Sequence, residues 1–200
     1  YTYEEVASLI IKDSLDGDEF KEAFSKHYNN KAFKDETLSK YIENLKSMHP
    51  LREMHPMALL RTIVSGGEEM ESDTEIESIA RISATVCFAI ASYHKADTNV
   101  LSDKYLVASS LLPNDANDEM LEALDDMLIL YAEHGFNAST FATRVTASTR
   151  ADLTGSIVSG IAALKGELHG GANERAVELI NSFKTVDEAE QGIYSLLDEK

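Results

Sequence analysis

The chain is predicted to be all-α, and three features of the sequence agree on this. Apolar residues recur at the spacing of one helix face along most of its length. No run shows the apolar–polar alternation of a half-buried strand. Capping residues and prolines then divide the periodic stretches into pieces of ordinary helix length. The 200 residues suffice for one well-buried domain, or for one domain and part of a second.

The elements come in order. Val6, Leu9 and Ile10 give a first short helix. A second starts just after Gly17, with Phe20, Ala23, Phe24 and His27 on one face, and Leu38, Tyr41, Ile42 and Leu45 mark a third. His49-Pro50 and His55-Pro56 then interrupt the chain, because a residue before proline is pushed out of the helical region. Proline at a first-turn position begins the next helix, over residues 56–64. Ser72-Asp73-Thr74-Glu75 reads as a capping box ahead of a long, largely buried helix that carries Ile76, Ile79, Ser83, Val86, Cys87 and Ile90. Residues 99–112 give no clear element. Asn117 is expected to cap a helix with Met120, Leu121, Leu124, Met127, Leu128 and Tyr131, which Gly135 would end.

From residue 138 to residue 171 bulky charged groups almost vanish, and Ala, Ser, Thr and Gly dominate. Helices of such residues pack with closely approaching backbones. Gly155, Gly160 and Gly166 each lower helix propensity by about 1 kcal/mol relative to Ala, so a packing or functional reason is expected for them. A helix over residues 171–183 comes next. A Thr185-x-x-Glu188 box then opens a last amphipathic helix through Leu197.

Charge and composition exclude several classes. Thirty-five acidic residues against 18 basic ones give −17, a solvated acidic surface unsuited to nucleic acid or an anionic membrane. The longest apolar runs, such as Val86-Cys87-Phe88-Ala89-Ile90-Ala91, fall far short of the ~20 residues a membrane span needs. The single cysteine, Cys87, can form no internal disulfide and is expected to be an inert core residue in a reducing, cytoplasmic setting. The chain opens Tyr1-Thr2-Tyr3 without Met or a signal-peptide pattern, so Tyr1 is not expected to be a native start. Histidines and carboxylates are not spaced as a metal site, and no P-loop or Rossmann glycine pattern is present, so no metal and no bound cofactor are expected.

Two stretches carry candidate chemistry. The first runs Leu128-Ile129-Leu130-Tyr131-Ala132-Glu133-His134-Gly135-Phe136-Asn137-Ala138-Ser139-Thr140. His134 is expected at the carboxyl end of an apolar helix, where the dipole and open carbonyls favour a cationic imidazole. Asn137 and Ser139 come at the start of the next helix, where free N–H groups gather. A charged histidine beside amide donors suits an anionic carboxylate ligand. A capping histidine and an N-cap asparagine would leave the same trace. The second stretch runs Leu164-Lys165-Gly166-Glu167-Leu168-His169-Gly170-Gly171-Ala172-Asn173-Glu174. Here His169 precedes two glycines at an expected helix start, a position that disfavours the charged imidazole. A neutral imidazole can donate a hydrogen bond to a developing enolate oxygen. The alternative is a structural helix-start histidine.

Taken together the two motifs are far more specific. Leu-Ile-Leu-x-Ala-Glu-His-Gly-Phe-Asn-Ala-Ser-Thr-Phe, followed from residue 164 by Leu-Lys-Gly-x-Leu-His-Gly-Gly-Ala-Asn-Glu, resembles the citrate synthase family. His55-Pro56-Met57 with Leu60-Arg61-Thr62 resembles that family's upstream His-Pro-Met segment. The resemblance runs from Tyr3 to the end and is strongest over residues 128–180.

The resemblance implies condensation of acetyl-CoA, a co-substrate, with oxaloacetate to give citrate and CoA, in a mostly helical homodimer with a large and a small domain. Residues 1–165 would belong to the large domain and residues 166–200 to the start of the small one, the remainder of which is absent. His134 matches the histidine that holds oxaloacetate. His169 matches the catalytic, neutral histidine that hydrogen-bonds the acetyl carbonyl as the enol forms. Asn137 matches a residue lining the oxaloacetate pocket, and Ser139 one that orients the enol-stabilising histidine. Residues binding CoA are left unassigned. In the family the base is an aspartate well downstream, a further histidine in a Gly-His-Arg-type motif polarises the oxaloacetate carbonyl, and arginines clamp the carboxylates. No histidine follows His169 here, so the 200-residue piece alone is expected to be inactive.

Two departures stand out. Tyr131 occupies a position where most relatives have histidine. Glu167 replaces a proline near His169, where its carboxylate would either raise the imidazole pKa or point into solvent. Arg144, alone among small residues, is expected to be a buried salt-bridge partner, with an anion contact as the alternative. His55 is expected to cap the helix of Pro56, and His27, His49 and His94 to lie at the surface or at helix ends. Three functions compete: a citrate synthase, a 2-methylcitrate synthase using propionyl-CoA, and a truncated, inactive paralog acting as a helical scaffold or regulatory subunit.

Overall fold

The computed structural model describes residues 1–33, 44, 47, 55–66, 74–94, 101–133 and 135–198. Among them every regular element is a helix, as the sequence predicts. In chain order these are α1 (Tyr3–Lys12), α2 (Asp18–Phe33), α3 (Pro56–Ser65), α4 (Glu75–His94), α5 (Leu106–Leu111), α6 (Asp118–Tyr131), α7 (Ala138–Ser148), α8 (Leu153–Leu164), α9 (Gly170–Ser182) and α10 (Val186–Asp198). Leu38, Tyr41, Ile42 and Leu45, expected to mark a helix, lie outside the described residues, as does His49.

The core is made by aromatic residues spaced four apart on α2. Phe20 and Phe24 stack at 6.2 Å between ring centres, and Phe24 and Tyr28 at 5.7 Å. Tyr3 of α1 meets Phe20 edge-on at 6.4 Å. Small residues opposite, Ala80, Ala84 and Cys87 of α4, let this ladder sit close, while Leu59 and Ile63 of α3 and Leu106 and Val107 of α5 close the cluster. A second cluster of Val64, Ile82 and Ile161 joins α3, α4 and α8, and so anchors α8 to the bundle. Cys87 is buried, and burial pushes its thiol up to about 11, which makes it the inert core residue expected. His27 is half-buried within α2, neither at a helix end nor fully exposed, because it shares the flank of the aromatic face.

Several helix ends agree with the sequence. His55 caps α3, its Nδ1 accepting the Met57 N–H at 3.2 Å. Asn117 caps α6, with Oδ1 accepting from the Met120 N–H at 2.9 Å. Two ends differ. The box ahead of α4 is Thr74 with Glu77: the Thr74 N–H donates to Glu77 Oε2 at 2.9 Å, and the Glu77 N–H to Thr74 Oγ1 at 3.3 Å. Since α4 begins at Glu75, the reciprocating carboxylate has to stand at Glu77, and Glu75 belongs to the first turn. Helix α6 ends at Tyr131, short of Gly135, with the Ala132 N–H closing on Ile129 O at 3.2 Å. The left-handed residue of the next turn is Phe136, at φ 62°, and not the glycine. Residues 99–112, without a clear element in the sequence, contain the short helix α5.

Two buried carboxylates tie α1 to its neighbours. Glu4, wholly buried, accepts the Val107 N–H of α5 at 2.8 Å. Asp125 of α6, 1% exposed, accepts the Tyr3 N–H at 3.1 and 3.2 Å. Burial raises the Asp125 carboxyl to about 6, the Tyr3 hydrogen bond opposes this, and the negative charges of Glu4 and Asp126 add to it.

The small-residue stretch forms α7 and α8, which lie against each other. A Cβ on Gly160 would overlap Thr143 Oγ1 and stand 3.2 Å from the Ser139 carbonyl oxygen, so the glycine has the packing reason expected of it. Thr146 Oγ1 donates to Ser159 Oγ across the pair at 2.9 Å. Neither α7, α9 nor α10 has a buried residue. Among the described residues no helix is long and apolar enough to cross a membrane, and no group of His, Cys, Asp and Glu could hold a metal ion.

Candidate active site

Asn137 is the N-cap of α7, in extended conformation at φ −62°, ψ 121°. Its Oδ1 accepts the Thr140 N–H at 2.9 Å and the Ser139 hydroxyl at 2.5 Å. Ser139 therefore sits in the first turn of α7, with its Oγ facing back toward the cap.

His169 is the N-cap of α9, the helix-start position predicted for it. The turn before it is tight: the His169 and Gly171 N–H groups both donate to Gly166 O, at 2.9 and 3.1 Å. A Cβ on Gly170 would collide with the Leu164 carbonyl oxygen, so only glycine admits this close return of the chain. The imidazole is half-buried, and its Nε2 lies 3.2 Å from Ser139 Oγ.

The two motifs thus meet. Asn137, Ser139 and His169 form one hydrogen-bonded chain across two helix N-termini. His134 lies outside the described residues. Tyr131, at the end of α6, is 70% exposed.

Glu167 is held by a group that the sequence motifs do not single out. Arg175 Nη1 pairs with Glu167 Oε1 at 2.9 Å while Nη2 donates to the Glu167 carbonyl oxygen at 2.8 Å. The carboxylate is at the surface and its ion partner is Arg175, not His169. Arg144 corrects an expectation: it is exposed and makes no ion pair among the described residues. Helix α7 buries none of its residues, so it offers no buried place for such a pair.

Beside this turn is a cavity of about 560 Å³ lined in part by His55, Arg61, Lys165, Glu167, Glu174 and Arg175. His55 Nε2 faces Glu174 Oε1 across it at 3.6 Å. None of Asn137, Ser139 or His169 lines it. The chemistry-bearing residues are therefore on the open flank of the α7 and α9 N-termini and not in this hollow.

The description "citrate synthase, C-terminal domain" fits residues 1–200 as a family model. The chain belongs to the citrate synthase family. It is 34% identical over 174 residues to citrate synthase 2 of Bacillus subtilis, covering 80% of this chain and 46% of that protein. It is 32% identical over 212 residues to the 2-methylcitrate synthase of Shewanella oneidensis, covering 100% of this chain and 55% of that one. The fold matches citrate synthase of Thermoplasma acidophilum, solved as a ternary complex with carboxymethyl coenzyme A and oxaloacetate. That match has a TM-score of 0.73 and 25% identity, and covers 96% of this chain and 52% of that one. The chain thus spans about half the length of the citrate synthase relatives it matches.

Proposed function

We propose that this chain supplies part of the active site of an enzyme that condenses acetyl-CoA with oxaloacetate, releasing citrate and CoA. The observation that carries the reading is the hydrogen-bonded chain Asn137–Ser139–His169, which joins segments 30 residues apart. An acetyl methyl proton is very weakly acidic, so enolisation needs a hydrogen-bond donor at the carbonyl together with a carboxylate base. His169 is the donor in this scheme and Ser139 orients it. His134 and Asn137 hold oxaloacetate. The base and the remaining oxaloacetate contacts come from outside these residues, and the 200-residue chain by itself is expected to give negligible turnover. No cofactor takes part, since acetyl-CoA is consumed as a substrate.

A second copy is the expected partner. Leu130, Tyr131, Phe136, Phe141 and Val145 on and between α6 and α7 are all more than half exposed, an apolar surface that supports a homodimer. The division of the chain near residue 165 belongs to the same proposal, supported by the lack of buried residues on α9 and α10. A cytoplasmic setting is supported only by the lone, buried Cys87.

Propionyl-CoA is the second reading, because the Shewanella oneidensis 2-methylcitrate synthase matches the whole chain. A thiol-release assay with oxaloacetate on the full natural protein separates the two. Acetyl-CoA should be preferred, and His169→Ala should lower kcat/KM by about 10²-fold or more. A strong propionyl preference would move the substrate assignment, and an unchanged rate in His169→Ala would remove the mechanism.

A further inference from the structure

The order of protons along Asn137, Ser139 and His169 can be read from the distances. Asn137 Oδ1 accepts the Thr140 N–H at 2.9 Å, which fixes that end of the carboxamide as its oxygen. Ser139 Oγ stands 2.5 Å from the same oxygen. Two oxygens approach this closely only with a hydrogen between them, and a carboxamide oxygen has none to give. The one hydroxyl proton of Ser139 is therefore committed to Asn137. His169 Nε2, 3.2 Å from Ser139 Oγ, meets a lone pair and has to be the donor.

We infer that Asn137, acting through the Ser139 hydroxyl, holds the resting His169 ring as its Nε2–H tautomer and leaves Nδ1 a hydrogen-bond acceptor. Asn137 is then a positioning residue for His169 as well as a helix cap. Only the catalytic meaning of this state rests on the function proposed above. A neutral imidazole donates from one nitrogen only. While Ser139 keeps its proton on Asn137, that one donor is spent inside the protein. For Nδ1 to donate to a substrate carbonyl, the Nε2 proton passes to water and Nδ1 takes one from water, while the serine hydroxyl turns from Asn137 to donate to Nε2. The proton count of the site does not change. A group that draws the Asn137 carboxamide away from Ser139 is what permits the turn, so the resting site is held unready until Asn137 lets go.

Nitrogen-15 NMR of the histidine side chains tests this on the full natural protein, in the absence of substrates and so without any turnover. Nitrogen shifts and N–H couplings report which ring nitrogen carries the proton, and His169→Asn identifies the signal. The wild-type ring should be Nε2–H in excess of a solvent-exposed histidine by about tenfold, the size of one net hydrogen bond. Asn137→Ala should return the ratio to that of the exposed ring. Asn137→Asp, which keeps both the cap and the acceptor, should preserve it. Ser139→Ala leaves the cap intact and should also abolish the excess, which decides the matter if Asn137→Ala fails to fold. An Nδ1–H ring in the wild type, or an undiminished excess in Ser139→Ala, overturns the inference. Acyl-transfer activity is read separately, so either result leaves the thiol-release assay to judge the proposed reaction.

Discussion

Helices α2 and α7 show two ways of holding a chain together. The first buries Phe20, Phe24 and Tyr28 almost completely in a ring stack. The second buries nothing and is held by the close approach of α8 at Gly160 and by hydroxyl bonds such as Thr146 to Ser159. Large buried rings give stability that does not depend on fine position. A close backbone contact gives little area but sets where the first turn of α7 lies, and with it Asn137 and Ser139. The candidate site is therefore built in the part of the molecule that contributes geometry, apart from the part that contributes burial.

Three substitutions test this division. Phe24→Ala should have the largest effect, a loss of about 3–5 kcal/mol in chemical denaturation, since it removes the middle ring of the stack. A loss below about 1 kcal/mol would mean that the ladder is not the main anchor. Asp125→Asn should act next, through pH. The folded carboxyl titrates at about 6 against an ordinary 3.8, so the protonated form favours folding. Its contribution is full below the unfolded value and is lost as pH rises from about 4 to about 6, an upper bound of ~3 kcal/mol. Denaturation of wild type and variant across that range should show the wild-type advantage shrinking with rising pH; a growing advantage would reverse the sign. Gly160→Ala should cost about 1–3 kcal/mol despite the better helix propensity of alanine, because the added methyl has to push α7 away. A stabilised Gly160→Ala would show that α7 and α8 have slack between them.

What was legible in the sequence was local. Asn117 and Asn137 announce their helices because a cap acts on residues three positions away, and Phe20 and Phe24 announce the core through spacing alone. His169 was readable as a helix start from the glycines after it. The rest depended on distance along the chain or on a choice between near-equal local signals. Thr74 competes with Ser72 as a cap, and Phe136 with Gly135 as the left-handed residue. Glu167 and Arg175 are eight residues apart, a spacing that becomes a contact only because the chain folds back before α9. The partners of Glu4 and Asp125 lie more than a hundred residues away, and no periodicity points to them.

That last separation has a consequence for biosynthesis. Tyr3 and Asp125 are 122 positions apart, so α1 cannot complete its attachment until α6, made much later, has emerged. Amino-terminal segments leave the tunnel first and wait for their later-made partners. Residues 3–12 can meet α2 early, through Tyr3 and Phe20, but Glu4 and the Tyr3 N–H should stay open to water or to a chaperone until α5 and α6 have been made and the loop closes.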